Sequence, residues 1–147
     1  VKPLLGRILA CDYGRARIGI AYSDERKILA TPLCFISCKG KPEDVIRVLV
    51  EKVRPFSPFE LLVIGLPLML DGTKGEMARE AEAFGHALAK EYSLPCLFWD
   101  ERLSSRQAER FMKEGLLSRK ERAQRSDALC AALILQNYLD SLPKSSF

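Results

Sequence analysis

The chain has 147 residues, 48% of them hydrophobic and 29% charged, which is the size and composition of one globular domain built on a single core. No apolar run approaches the ~20 residues of a membrane span, and residues 1–7 lack the apolar stretch of a secretory signal, so a soluble, cytoplasmic protein is expected. The net charge of +4, from 23 Lys and Arg against 19 Asp and Glu, admits an anionic partner without demanding one. The five cysteines (Cys11, Cys34, Cys38, Cys96 and Cys130) are odd in number and sit mostly in apolar surroundings, as small buried hydrophobes do in a reducing compartment. His86 is the only histidine, and Cys34 and Cys38 are too isolated to suggest zinc, so a nitrogen- or sulfur-ligated metal is not expected. Any metal here must be held by carboxylates, which favours Mg²⁺ or Mn²⁺.

In chain order, residues 7–12 and 17–23 read as two strands joined by a short turn at 13–16. Residues 28–31 and 34–36 read as a third strand, and Pro32 within it predicts an edge position. A helix starts at Pro42, with Glu43 and Asp44 suited to its N-terminal dipole, and Val45, Ile46, Leu49, Val50 and Val53 share one face. The continuous apolar run 61–65 fits a strand covered on both faces. A loop containing Asp71 and Gly72 leads to a second helix over 75–92, with Met77, Ala81, Phe84 and Leu88 as its buried stripe. The last strand is 96–99. A third helix is capped by Ser104 or Ser105 and stops at Gly115. Residues 116–124 read as a basic connection. The final helix starts near Ser126 and Asp127 and runs to about Asp140, leaving 143–147 as a frayed tail.

Three strands as a meander, followed by helix, strand, helix, strand and two helices, predict antiparallel pairing first and right-handed parallel crossovers afterwards. The expected fold is therefore α/β: a mixed five-stranded sheet, an antiparallel meander plus two parallel strands, with helices on both faces. That is the ribonuclease H-like layout, in one domain over 1–147.

Three carboxylates stand at informative places in this order. Asp12 ends the first strand, Glu101 follows the last, and Asp127 falls in the first turn of the final helix. The carboxyl ends of parallel strands share one sheet edge, where open α/β sheets bind ligands. Acidic groups gathered there repel one another unless a cation neutralises them. Two divalent ions about 3.5–4 Å apart suit in-line attack of water on a phosphodiester. Each residue also has a plainer reading: Asp12 as a hairpin corner, Glu101 as a partner of Arg102, Asp127 as a helix-start residue. Asp71 and Asp100 compete with Glu101 for the second position. The argument rests on joint placement.

A second line comes from basic residues. Arg102, Arg106, Arg110 and Lys113 are spaced by four, four and three, so they stack on one helical face. Arg122 and Arg125 follow before Asp127, and Arg15, Arg17 and Lys74 extend the basic surface from other loops. Contacts from such residues to phosphates make binding salt-dependent. The alternative is a solvated helix face paired with Glu109 and Glu114. Tyr13 and Trp99 flank the expected site and are candidates for stacking on bases, although burial accounts for Trp99 equally well.

These motifs resemble those of the YqgF family, also called RuvX. Asp12-Tyr13-Gly14 with Arg17-Ile18-Gly19-Ile20-Ala21 and Ser23-Asp24 resembles its opening. Gly65-Leu66-Pro67 with Asp71-Gly72 resembles its middle motif, and Asp100-Glu101-Arg102-Leu103-Ser104 and Ser126-Asp127-Ala128-Leu129 its two later ones. The resemblance implies a ribonuclease H-like nuclease, with Asp12, Glu101 and Asp127 as the acidic triad holding Mg²⁺ or Mn²⁺. Members are described as nucleases maturing the 5′ end of pre-16S ribosomal RNA, and an older assignment is Holliday-junction resolvase. Expected partners are therefore nucleic acids, precursor rRNA ahead of junction DNA, bound by a monomer or a homodimer. A different class of reading is a non-catalytic RNA-binding ribosome-assembly factor.

Overall fold

A computed structural model describes residues 6–69, 71–100 and 119–143, with side chains left undescribed over 119–126. Its strands are β1 (Arg7–Tyr13), β2 (Arg17–Ser23), β3 (Ala30–Ser37), β4 (Phe59–Leu66) and β5 (Cys96–Asp100). Its helices are α1 (Pro42–Val53), α2 (Glu76–Tyr92) and α3 (Arg119–Ser141), with a 3₁₀ turn at Arg54–Phe56. The sheet order is β3-β2-β1-β4-β5. β1–β2 and β2–β3 pair antiparallel, while β1–β4 and β4–β5 pair parallel, as the element order predicted.

Alternation along the strands sends side chains to two layers. Leu9, Cys11, Ile18, Ile20, Leu62 and Ile64 point to one face, where Val45, Leu49 and Val53 of α1 and Leu88 of α2 close over them. Ile8, Ala10, Ala21 and Val63 point to the other, against Ala131, Ile134, Leu135 and Leu139 of α3. The α3 face is the smaller-residue face, and α3 comes correspondingly close. A Cβ on Gly19 would stand 1.9 Å from the Asp127 carbonyl oxygen, so only glycine fits beneath the helix there.

Three details differ from the sequence reading. β3 starts at Ala30, not Ile28. The Asp24 carboxylate accepts hydrogen bonds from the Ile28 and Leu29 N–H groups at 2.7 and 2.9 Å, folding those residues into a turn that leaves both side chains exposed. Pro32 does lie on an edge strand, and a register shift between Ile20 and Ala21 absorbs it. The buried stripe of α2 is Ala78, Ala81, Gly85 and Leu88. Gly85 admits the Phe98 ring, which a Cβ there would meet at 2.8 Å, and this turns the helix so that Met77 and Phe84 are only half-buried. The last helix begins at Arg119, not near Ser126. Arg, Lys, Glu, Ala and Gln are good helix formers, and no Gly or Pro interrupts residues 119–126.

The predicted third helix and its Gly115 stop lie outside the described residues, as does the tail beyond Pro143. No helix among the described residues is long and apolar enough to cross a membrane.

Candidate active site

Asp12 sits one residue from the end of the central strand, opposite Gly19 on β2 and Gly65 on β4. Its neighbours on the same face, Ile8 and Ala10, pack against α3, so its side chain emerges on the α3 side. Both flanking positions are glycines, which leaves the carboxylate uncrowded across the sheet.

Asp127 reaches the same place by a different route. The helix that carries it lies on Gly19, and Gly19 is the residue directly across from Asp12. Directly opposed antiparallel residues have Cα atoms about 4.5–5.5 Å apart, so the Asp127 backbone is seated beside the end of β1. Asp127 occupies the third turn of α3 rather than the first, because the helix starts earlier than its caps suggest. No helix-start role explains it, and the contact with Gly19 does.

The Asp127 carboxylate is partly buried. Arg17 Nε stands 2.9 Å from its Oδ2, an ion pair whose N–H does not aim along that line. Oδ2 is out of contact with water and accepts no hydrogen bond from the described residues. Burial raises the Asp127 pKa above the ordinary carboxylate value, and the Arg17 charge opposes that rise. The Arg17 guanidinium also lies over the Phe35 ring, 5.5 Å from its centroid.

Of the other basic residues expected on the surface, Arg15 pairs with Glu76 and Glu80 at 3.4 Å each and Lys74 with Glu82 at 3.1 Å. These pairs are largely exposed, so they hold the side chains only weakly. Glu101, Arg102, Arg106, Arg110 and Lys113 lie outside the described residues, and so do the side chains of Arg122 and Arg125. β5 is two strands from β1, about 10 Å at the backbone. Trp99, in register with Gly65, packs on α3 against Tyr138 with ring centroids 5.6 Å apart. Asp100 ends β5 in an exposed position across from Leu66. Asp71 Oδ1 accepts hydrogen bonds from the Thr73 N–H and hydroxyl, so this carboxylate shapes its own loop.

Tyr13 does not flank Asp12 on the same side. It follows Asp12 on the strand and so points to the opposite face, where its ring meets Phe84 at 5.4 Å. Sequence reasoning also took Arg17 for a phosphate contact only, and missed its pairing with Asp127. The signal for the Gly19 seat was available: an isolated glycine inside an apolar strand marks close backbone approach.

The donor set at this edge is oxygen only and suits a hard divalent cation. Among the described residues, no group of three His, Cys, Asp or Glu side chains is close enough to hold one, and the third carboxylate that the motifs supply is Glu101. An Asp127 oxygen that is buried and accepts no hydrogen bond from the described residues, on a helix seated at the strand end that carries Asp12, fits a cation site.

The sequence and the fold are similar to those of known nucleases. Residues 6–141 match the model of the family described as RuvX: Holliday junction resolvase. A relative from Protochlamydia amoebophila named "Putative pre-16S rRNA nuclease" is 43% identical over 145 residues, covering 95% of this chain and 97% of its own. One of the same name from Syntrophomonas wolfei is 43% identical over 134 residues, covering 91% and 94%. Among solved structures, the fold is similar to T. thermophilus RuvC in complex with a Holliday junction substrate, at a TM-score of 0.57 and 18% identity, over 90% of this chain and 93% of that one. It is also similar to the yeast mitochondrial Holliday junction resolvase Ydc2, at a TM-score of 0.53 and 13% identity, over 94% and 80%. With a near full-length family match and close relatives named as nucleases, this chain belongs to the RuvX family of nucleases.

Proposed function

We propose that this nuclease hydrolyses phosphodiester bonds at the 5′ end of precursor 16S rRNA, with Mg²⁺ or Mn²⁺ held by Asp12 and Asp127 and with Glu101 as the third carboxylate. The observation that carries the reading is the seat of α3 on Gly19, which sets Asp127 beside the strand end that carries Asp12. The curated relatives' names support RNA as the substrate.

A bound divalent cation supplies Lewis-acid stabilisation of the charge that builds on the phosphoryl oxygens. The protein's own part is positioning. Asp12 is fixed by ladders on both sides of β1, so its carboxylate needs little reorganisation. Asp127 presents an oxygen out of contact with water, where a divalent cation would offset the cost of its buried charge. Arg17, half exposed, is the counter-ion of Asp127 and would lie within reach of a phosphate at the same edge. Arg102, Arg106, Arg110, Lys113, Arg122 and Arg125 supply further phosphate contacts in this reading.

The test is cleavage of precursor 16S rRNA and of a four-way DNA junction, each with Mn²⁺, by the wild type and Asp12→Asn. The reading expects rRNA cleavage that the substitution abolishes while the circular dichroism spectrum is unchanged. Full activity of Asp12→Asn refutes the site. The family description and the fold shared with RuvC favour one second reading, junction resolution. It predicts preferential junction cleavage by a homodimer, because two active sites must face a two-fold junction. Salt-dependent RNA binding without cleavage of either substrate is the result expected of an assembly factor.

A further inference from the structure

The same sheet edge carries a second feature on its opposite face. A cavity of about 300 Å³ opens between the start of α1 and the middle of α2, with Tyr13 at its base. Tyr13 is the residue after Asp12, so the cavity and the carboxylate site are separated only by the thickness of the sheet. Tyr13 and Phe84 form one wall, their rings tilted by 36°. Ala83 and Ala87, a helical turn apart on α2, face Val45 and Ile46 of α1 and leave a narrow apolar slot. Glu80 is the one charged side chain among the described residues of the lining. Outside, Lys39 and Lys41 flank Gly40 at the rim with exposed side chains, and Arg15 stands beside Glu80.

Flat apolar walls, a single carboxylate inside and cations at the mouth complement a particular shape. The occupant carries negative charge outside, and inside it has a planar ring with an N–H to donate. We propose that this slot binds an unstacked nucleobase of the substrate strand, from a nucleotide next to the scissile phosphate, with Glu80 accepting from its amino group and Lys39 and Lys41 meeting the flanking phosphates. This rests on the nuclease reading above. The volume is at the lower end of the ~300–1,000 Å³ typical of ligand pockets, which suits one base and excludes a larger ligand. A carboxylate accepts from the amino groups of cytosine, adenine and guanine, whereas uracil offers it carbonyl oxygens on either side of one N–H. The slot therefore discriminates against uracil.

The experiment titrates metal-free protein with 5′-CMP and 5′-UMP, read by amide chemical shifts, and measures oligoribonucleotide binding and Mn²⁺-dependent cleavage in parallel. CMP is expected to shift Tyr13, Glu80 and Phe84 and to bind more tightly than UMP. Ala83→Trp, at an exposed position, fills the slot; it should weaken oligonucleotide binding about tenfold or more, in line with the loss of one stacked base, while leaving the melting temperature unchanged. Glu80→Gln replaces an acceptor with a donor–acceptor amide, which both bases can satisfy, and should abolish the preference for CMP over UMP. Shifts confined to Lys39 and Lys41, wild-type binding by Ala83→Trp, or an unchanged order in Glu80→Gln each overturn the slot. Undiminished cleavage by Asp12→Asn in the same assay refutes the nuclease site instead, so the two failures are distinguishable.

Discussion

Replacing Gly19 by alanine places a carbon 1.9 Å from the Asp127 carbonyl oxygen, 2.3 Å from its carbonyl carbon and 3.1 Å from Ala128 N. An uncharged carbon and a carbonyl oxygen approach no closer than about 3.3 Å, so α3 must retreat by about 1.4 Å. Both parties are backbone, β2 on one side and a helix on the other, and neither has a rotamer to change. Overpacking typically costs about 1–3 kcal/mol, and a clash without side-chain relief belongs at the top of that range. For a domain of this size that is a fall of about 10 °C in melting temperature. The displacement also carries Asp127 away from Asp12, and a misplacement of about 1 Å at a reacting centre costs about a hundredfold in rate. Gly75→Ala is the control: its Cβ meets only the flexible end of Met69, Sδ at 3.2 Å, and loses at most about 1 kcal/mol at a helix cap. Thermal melts followed by circular dichroism and single-turnover cleavage test both parts. A Gly19→Ala protein that melts within about 2 °C of the wild type and cleaves at the wild-type rate would refute the seating of α3 on Gly19.

Two further outcomes follow from Asp127 and its partner. Burial raises the Asp127 pKa in the folded protein, so the native state holds the proton more tightly than the unfolded chain. Its contribution to stability is therefore intact below the unfolded value of 3.8 and lost as pH rises through the folded pKa. With chelator present, Asp127→Asn should melt above the wild type at pH 7 and with it at pH 3.5, while cleaving nothing; an Asn variant less stable at pH 7 contradicts the assignment. Arg17→Gln removes the competitor for that carboxylate, so Mn²⁺ measured by calorimetry should bind about two- to fivefold more tightly, as the loss of a partly exposed ion pair implies. Cleavage should nevertheless slow at least tenfold; a purely structural Arg17 would weaken both.

In the proposed site, cation binding and the stability of the fold thus pull in opposite directions at one residue. Asp127 is placed where its charge costs free energy in the absence of a cation, and Arg17 offsets only part of that cost because it remains half exposed. This is the behaviour expected of a group kept for chemistry, since a helix residue at a close sheet contact is otherwise best small and apolar, as Ala128, Ala131 and Ala132 are.

Most of the architecture was legible without coordinates because it depends on local signals. The alternation of Ile18 to Tyr22, the unbroken run 61–65, Pro42 at a helix start and Pro32 on an edge each report their own environment. The pairing directions followed from connection rules that hold for any chain. Misreadings came where a side chain outside the window decided. Ile28 and Leu29 look like strand residues, but the Asp24 carboxylate takes their N–H groups. The face of α2 turned because Phe98 needs the space above Gly85. Asp127 next to Ser126 resembles a helix start, yet helix-forming residues carry the turn structure back to Arg119.

The sequence by itself determined the sheet, its pairing directions and the strand end that carries Asp12, since hydrophobic period and turn chemistry are written residue by residue. It also named the acidic residues by their motifs. Only the tertiary structure decided that the Asp127 backbone comes to the strand end that carries Asp12. Asp12 and Asp127 are 115 positions apart, counting from 12 to 127, and what unites them is the absent side chain of Gly19. It also decided that Tyr13, one residue from Asp12, looks the other way into a slot of its own. Both are consequences of packing, in which a backbone's approach and a strand's two faces set distances that no local pattern encodes.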